Sequence, residues 1–143
     1  MAFMLCMAGL VMTDTAFSAG GQQCVDNKDG TVTDNHSGLM WSKVHAGPMY
    51  WDQAKSYASG LSLGDHSDWR LPTKDELLGL FNSPCKNNMV VPKTLYWSST
   101  PNTMVTGISV KGQIYCVSFS SGDVITRHKV QEEQKVRAVR TAQ

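Results

Sequence analysis

Helical periodicity in this chain is confined to its middle, with strand signals on both sides. Between Tyr50 and Leu61 the apolar residues Trp51, Ala54, Ala58 and Leu61 recur at helical spacing, and Gly60 and Gly64 follow to stop the helix. A second helix is announced by Thr73 standing three residues before Glu76, so that each side chain can satisfy the other's free backbone donor. Pro72 sets its start by biasing Leu71 away from the helical region. Leu77, Leu78, Leu80 and Phe81 form its apolar content, and it ends before Pro84.

Short strand signals flank these two helices. Gln23 to Val25 and Thr31 to Thr33 lie on either side of Asp26-Asn27-Lys28-Asp29-Gly30, a run of turn formers, and the turn Asn35-His36-Ser37-Gly38 leads into Leu39-Met40-Trp41. Beyond the helices, Tyr96 to Ser99, Val105 to Val110, Ile114 to Phe119, Val124 to Arg127 and Val136 to Val139 read as strands, punctuated by Gly107, Gly112 and Gly122. Helices grouped between strands predict an α+β domain, an antiparallel sheet with both helices on one side, and not alternating βαβ units. No repeat period or low-complexity tract is present.

At 143 residues, 41% hydrophobic and 17% charged, the chain is long enough for one real core. A formal net charge of +1 gives no global reason to expect nucleic acid or an anionic membrane as partner, so any binding patch must be local. Met1 to Met12 is an unbroken apolar run followed by the polar stretch Thr13 to Thr15 and then Ala16-Phe17-Ser18-Ala19. It is shorter than the ~20 residues of a membrane span and reads as a leader, residues 1–19, without a basic start. Cys6 would leave with it. The domain is expected over residues 22–143, in a secreted, periplasmic or cell-surface protein.

Export makes a disulfide permissible, and Cys24, Cys85 and Cys116 allow one bridge with one thiol left over. None of the three stands in a CxxC or Cys/His cluster, and no two of His36, His45, His66 and His128 have ligand spacing, so neither metal nor cofactor is expected. Asp26 to Asp34 alternates carboxylates around a glycine, but Val25 occupies the first ligand position of a calcium loop and no closing Glu follows. His66-Ser67-Asp68 is a solvated turn, since catalytic triads are assembled by folding and not by adjacency. Asn35-His36-Ser37 matches a glycosylation sequon, relevant only in a host that glycosylates.

Of the four tryptophans, Trp69 and Trp97 are expected in the core, whereas Trp51 is the candidate for stacking on a sugar. Basic residues gather towards the end of the chain. Arg127, Lys129 and Lys135, expected at a turn between the final two strands, are candidates for an anionic ligand, and Arg137 and Arg140 are expected to act within the fold. Asp68 and Arg70 are assigned to structure, as paired charges that pin the loop before the second helix.

DNKDGTVTDNHSGLMW (Asp26 to Trp41), DWRLPTKDEL (Asp68 to Leu77), YWSST (Tyr96 to Thr100) and VRAVR (Val136 to Arg140) together resemble, in the same order, the C-terminal domain of the Legionella collagen-like adhesin. The resemblance covers nearly the whole chain after the leader. It implies a C-type-lectin-like fold, with two helices packed on a twisted antiparallel sheet and the N- and C-terminal strands paired. It further implies an adhesin-like, non-catalytic module whose partner is a glycan, an anionic polysaccharide or an envelope protein. Many members of the family carry a cysteine in the first helix and another in the final strand, where this chain has Ala58 and Ala138. The chain has no Gly-X-Y tract, and the Glu-Pro-Asn and Trp-Asn-Asp signatures of calcium-dependent lectins are absent.

With the family's cysteine positions lost, Cys85 and Cys116 are the expected bridge, Cys85 in the uncommitted loop beside Pro84 and Cys116 on a strand. Such a bridge closes a loop of about 30 residues, worth roughly 3 kcal/mol. Cys24 would then stay free or pair between chains. Arg70 to Leu77 (RLPTKDEL) also resembles the RLPT-x-x-E-W segment of formylglycine-generating enzymes, which use a reactive cysteine pair. This chain is much shorter, and the shared segment is read as a capped helix start.

Overall fold

The structure is a computed structural model that describes residues 21–103 and 111–143. The leader, residues 1–19 with Cys6, and the expected strand Val105 to Val110 lie outside the described residues. Nine strands and two α-helices are described. An N-terminal meander of β1 (Cys24–Asp26), β2 (Thr31–Asp34) and β3 (Leu39–Ser42) is followed by β4 (Ala46–Met49). Then come α1 (Trp51–Ser59), α2 (Lys74–Asn82) and a 3-10 turn over Pro84–Asn88. The chain finishes with β5 (Leu95–Pro101), β6 (Gln113–Ser118), β7 (Val124–His128), β8 (Gln134–Val136) and β9 (Val139–Thr141). No helix among the described residues is long and apolar enough to cross a membrane.

The strands form two sheets, ordered β1-β2-β3-β9 and β4-β8-β5-β6-β7. The meander and the C-terminal strand do share a sheet, but β9 pairs with β3 through Trp41 and Val139, while β1 lies at the opposite edge. The second sheet is mixed, since β5 and β8 run parallel at Tyr96 and Lys135. The α+β class expected from the sequence is therefore present, with two sheets where one was expected.

Alternation along β5 and β6 explains where the helices go. Neighbouring residues on a strand face opposite sides. Tyr96 and Val117 join a core with Leu77 and Leu80 of α2, together with Val32 and Trp41 of the first sheet. Trp97 and Cys116 instead join a core with Ala54 and Ala58 of α1, Trp69, Val136 and Ala138. The helices thus bury themselves on opposite faces of the five-stranded sheet, not on one side as the segregated pattern suggested. Trp69 and Trp97 are core residues as expected, each spending its N–H on backbone carbonyls.

Local chemistry fixes the start of α2. The Thr73 hydroxyl accepts from Glu76 N–H at 3.1 Å, and Glu76 Oε1 accepts from Thr73 N–H at 2.8 Å. Arg70 grips both oxygens of Glu76 at 2.8 and 2.9 Å, and Arg140 grips Asp68 at 2.6 and 3.2 Å. Asp68 and Arg70 are thus structural, each paired with a partner from elsewhere. Arg137 is buried and donates to the carbonyls of Ser42, Lys43 and Val90, tying the final strands to the meander and the loop after α2.

The expected Cys85–Cys116 bridge is not the one formed. Cys24 is bonded to Cys85, and Cys116 is a buried free thiol. The reason is the two-core arrangement: Cys24 and Cys85 lie in the α2 core, whereas Cys116 points to the other face of β6 among α1 residues.

Candidate functional site

Trp51 opens α1, directly after Tyr50, whose N–H is satisfied by Gln53 Oε1 at 3.2 Å. The indole is held in place by its own N–H, which donates to Ser98 O at 2.9 Å, and the backbone N–H of Trp51 donates to Lys129 O at 3.3 Å. This second bond carries the segment after β7 across the start of the helix. Two ammonium groups then share one ring, with Lys55 Nζ 3.8 Å and Lys129 Nζ 5.8 Å from its centroid. An aromatic face attracts cations within about 6 Å, so the ring acts as a seat for positive charge.

Asp52 limits that charge on one side, meeting Lys55 at 3.0 Å. The hydrogen bond from Lys55, and the charge of Lys129 behind it, hold the Asp52 carboxyl below its ordinary range. Lys129 has no carboxylate within ion-pair distance among the described residues.

Of the four residues expected to bind, the structure brings Trp51 and Lys129 together and leaves the other two apart. The segment between β7 and β8 is not a hairpin turn, because β6 and β5 lie between those strands. Arg127, on the edge strand β7, pairs with Glu132 at 3.2 Å, and Lys135 on β8 donates to Gly47 O at 2.8 Å. Lys55 was missed in the sequence although helical periodicity places it one turn beyond Trp51. The residues between Asp26 and Asp34 make no calcium cage: Asp26 pairs with Lys43 at 2.7 Å and Asp29 accepts from Thr31. The Lys43 hydrogen bond, aided by Lys28, lowers the Asp26 carboxyl to about 2. No group of three or more metal-ligating side chains is found among the described residues.

The profile of the Lcl C-terminal domain matches residues 30–140, most of the chain, from the β1–β2 turn to the final strand. The chain belongs to the Lcl C-terminal domain family. No curated protein shows significant similarity to it. Within this Lcl C-terminal domain the positions of Ala58 and Ala138 are both fully buried in the α1 core, where small residues let the helix approach the sheet. Cys85 is bonded to Cys24, and burial pushes the Cys116 thiol up to about 12, the reverse of an activated nucleophile.

Proposed function

We propose that this Lcl C-terminal domain is an adhesin-like, extracytoplasmic recognition module that binds an anionic polysaccharide. The observation that carries the reading is the pair of lysine ammoniums, Lys55 and Lys129, seated over Trp51 on a chain that is otherwise nearly neutral. A sulfate or carboxylate approaching this ring meets the ammonium groups held near it, Lys55 at 3.8 Å and Lys129 at 5.8 Å from its centroid. Arg127 and Lys135 are outlying contacts for a ligand long enough to reach them.

Heparin-column retention of the wild type beside Lys55→Ala/Lys129→Ala tests the reading, with circular dichroism to verify folding. The wild type is expected to be retained and to elute as salt rises, because the Debye length falls from ~10 Å at 0.1 M to ~3 Å at 1 M. The double variant should elute at markedly lower salt. Equal retention of the two proteins, or no retention of either, would overturn it.

A further inference from the structure

Beside the lysine pair runs a groove of different chemistry. Asp52, Lys55, Ser56 and Ser59 are exposed and lie on one stripe of α1, at the spacing of successive helical turns. The extended stretch from Arg70 to Thr73 and Ser99 of β5 supply the rest of the lining, and the space, open to solvent, is about 690 Å³. That falls within the range of about 300–1,000 Å³ usual for ligand sites.

The far wall is held independently of any ligand. Arg70 is fixed end-on by Glu76, its backbone pairs with Val139, and Ser99 N–H donates to Pro72 O at 2.7 Å. Leu71 is the one apolar side chain lining the groove, and four of the lining residues are serine or threonine. Serine is a weak helix former, so Ser56 and Ser59 contribute little to α1, and Ser59 merely bonds back to the carbonyl of Ser56 at 3.2 Å.

We propose that this groove is a saccharide subsite that reads ring hydroxyl groups, continuous with the lysine pair through Lys55. Short hydroxyls that both donate and accept, with the Asp52 carboxylate to take a pair of neighbouring sugar hydroxyls and Leu71 to meet the apolar face of the ring, match a sugar. The inference rests on the polysaccharide reading for the kind of ligand, but its contacts involve ring hydroxyls and not sulfate. It therefore adds a component of binding that salt does not screen.

The test is titration of the ¹⁵N-labelled protein with a sulfated heparin disaccharide and with the same disaccharide fully desulfated, N-acetylated and carboxyl-reduced so that it carries no charge, at low and high salt. Both sugars are expected to shift the amides of Ser56, Ser59, Thr73 and Ser99, the desulfated one equally at both salts. Ser56→Leu/Ser59→Leu fills the groove without changing charge and should weaken the desulfated sugar about tenfold or more, the scale of one or two lost hydrogen bonds. Ser99→Val, on the opposite wall, should weaken it too and serves if the helix variant does not fold. Heparin-column retention should be reduced by the lost groove contacts but not abolished in either variant, since the lysine pair is intact. A desulfated sugar that shifts none of these amides, or binds the variants as it binds the wild type, overturns the subsite even where Lys55→Ala/Lys129→Ala abolishes heparin retention. Conversely, groove binding without heparin retention leaves the subsite standing and sinks the anionic reading.

Discussion

Asp34 shows how one side chain can hold two elements together. It is buried at the end of β2, where burial pushes its carboxyl up. The Ser83 hydroxyl at 2.9 Å, the His36 and Ser37 N–H groups and the Gln23 amide outweigh this and hold it below its ordinary value. A carboxyl depressed in the folded state contributes stability above its unfolded value of about 3.9, and that contribution is lost as pH falls through the folded value. Asp34→Asn is therefore expected to cost about 1–3 kcal/mol at neutral pH, with the gap to wild type closing in acid. Urea midpoints at neutral pH and near pH 3 check this, and a gap that does not change with pH would refute it. Such partners were hidden in the sequence because Ser83 lies on a different element. Arg137 and Arg140 were legible through the VRAVR strand, which the resemblance assigns to the fold, and their carbonyl and carboxylate partners are what make buried arginines tolerable there.

At the scale of elements, two glycines with opposite surroundings separate turn chemistry from groove shape. Gly122 has φ +82°, and a Cβ there would lie 2.6 Å from Phe81 Cε1, so it is required by its turn. Gly79, inside α2, has helical neighbours and nothing within 4 Å of its would-be Cβ, and it lines an open groove of about 720 Å³ between α2 and the first sheet. Gly79→Ala should stabilise the protein by about 0.5–1 kcal/mol, seen as a higher thermal midpoint. A lower midpoint would mean that the space is needed by the fold.

Both helices were legible because their periodicity and the Thr73–Glu76 box are local. β4 was not, since Gly47 and Pro48 in Ala46–Met49 argue against a strand, and an edge position beside β8 is what tolerates them. The stretch Val136 to Val139, one strand by its sequence pattern, belongs to two. At Arg137 and Ala138 the chain leaves one sheet for the other, and Ala138 N–H is satisfied by the Ser42 hydroxyl at 3.2 Å. No local signal records such a handover.

For the whole molecule, the Cys24–Cys85 bond joins β1 to the turn after α2 across 61 residues. A loop of that size is worth about 4 kcal/mol by restriction of the unfolded chain. Peptide mapping without reductant should find this pair, with Cys116 alkylated only after denaturation, and reduction should lower the urea midpoint accordingly. A Cys116-containing bridge would contradict the structure. The pairing could not be read from spacing, because it depends on which face of the second sheet each cysteine meets. The candidate site was legible in part for the same reason. Trp51 and Lys129 stood out as residue types, but only the connection across the start of α1 puts them together.

The segment Gln134–Thr141 supplies β8 to the interior of the five-stranded sheet and β9 to the edge of the four-stranded one, with Arg137 bridging between. A ribosome delivers this segment after every other described element. While it is still in the exit tunnel, β4 lacks the strand it pairs with and β3 has one open side. Neither sheet is complete until residues 134–141 have left the tunnel, so a product stalled before residue 134 would present both unpaired edges to whatever chaperone meets it.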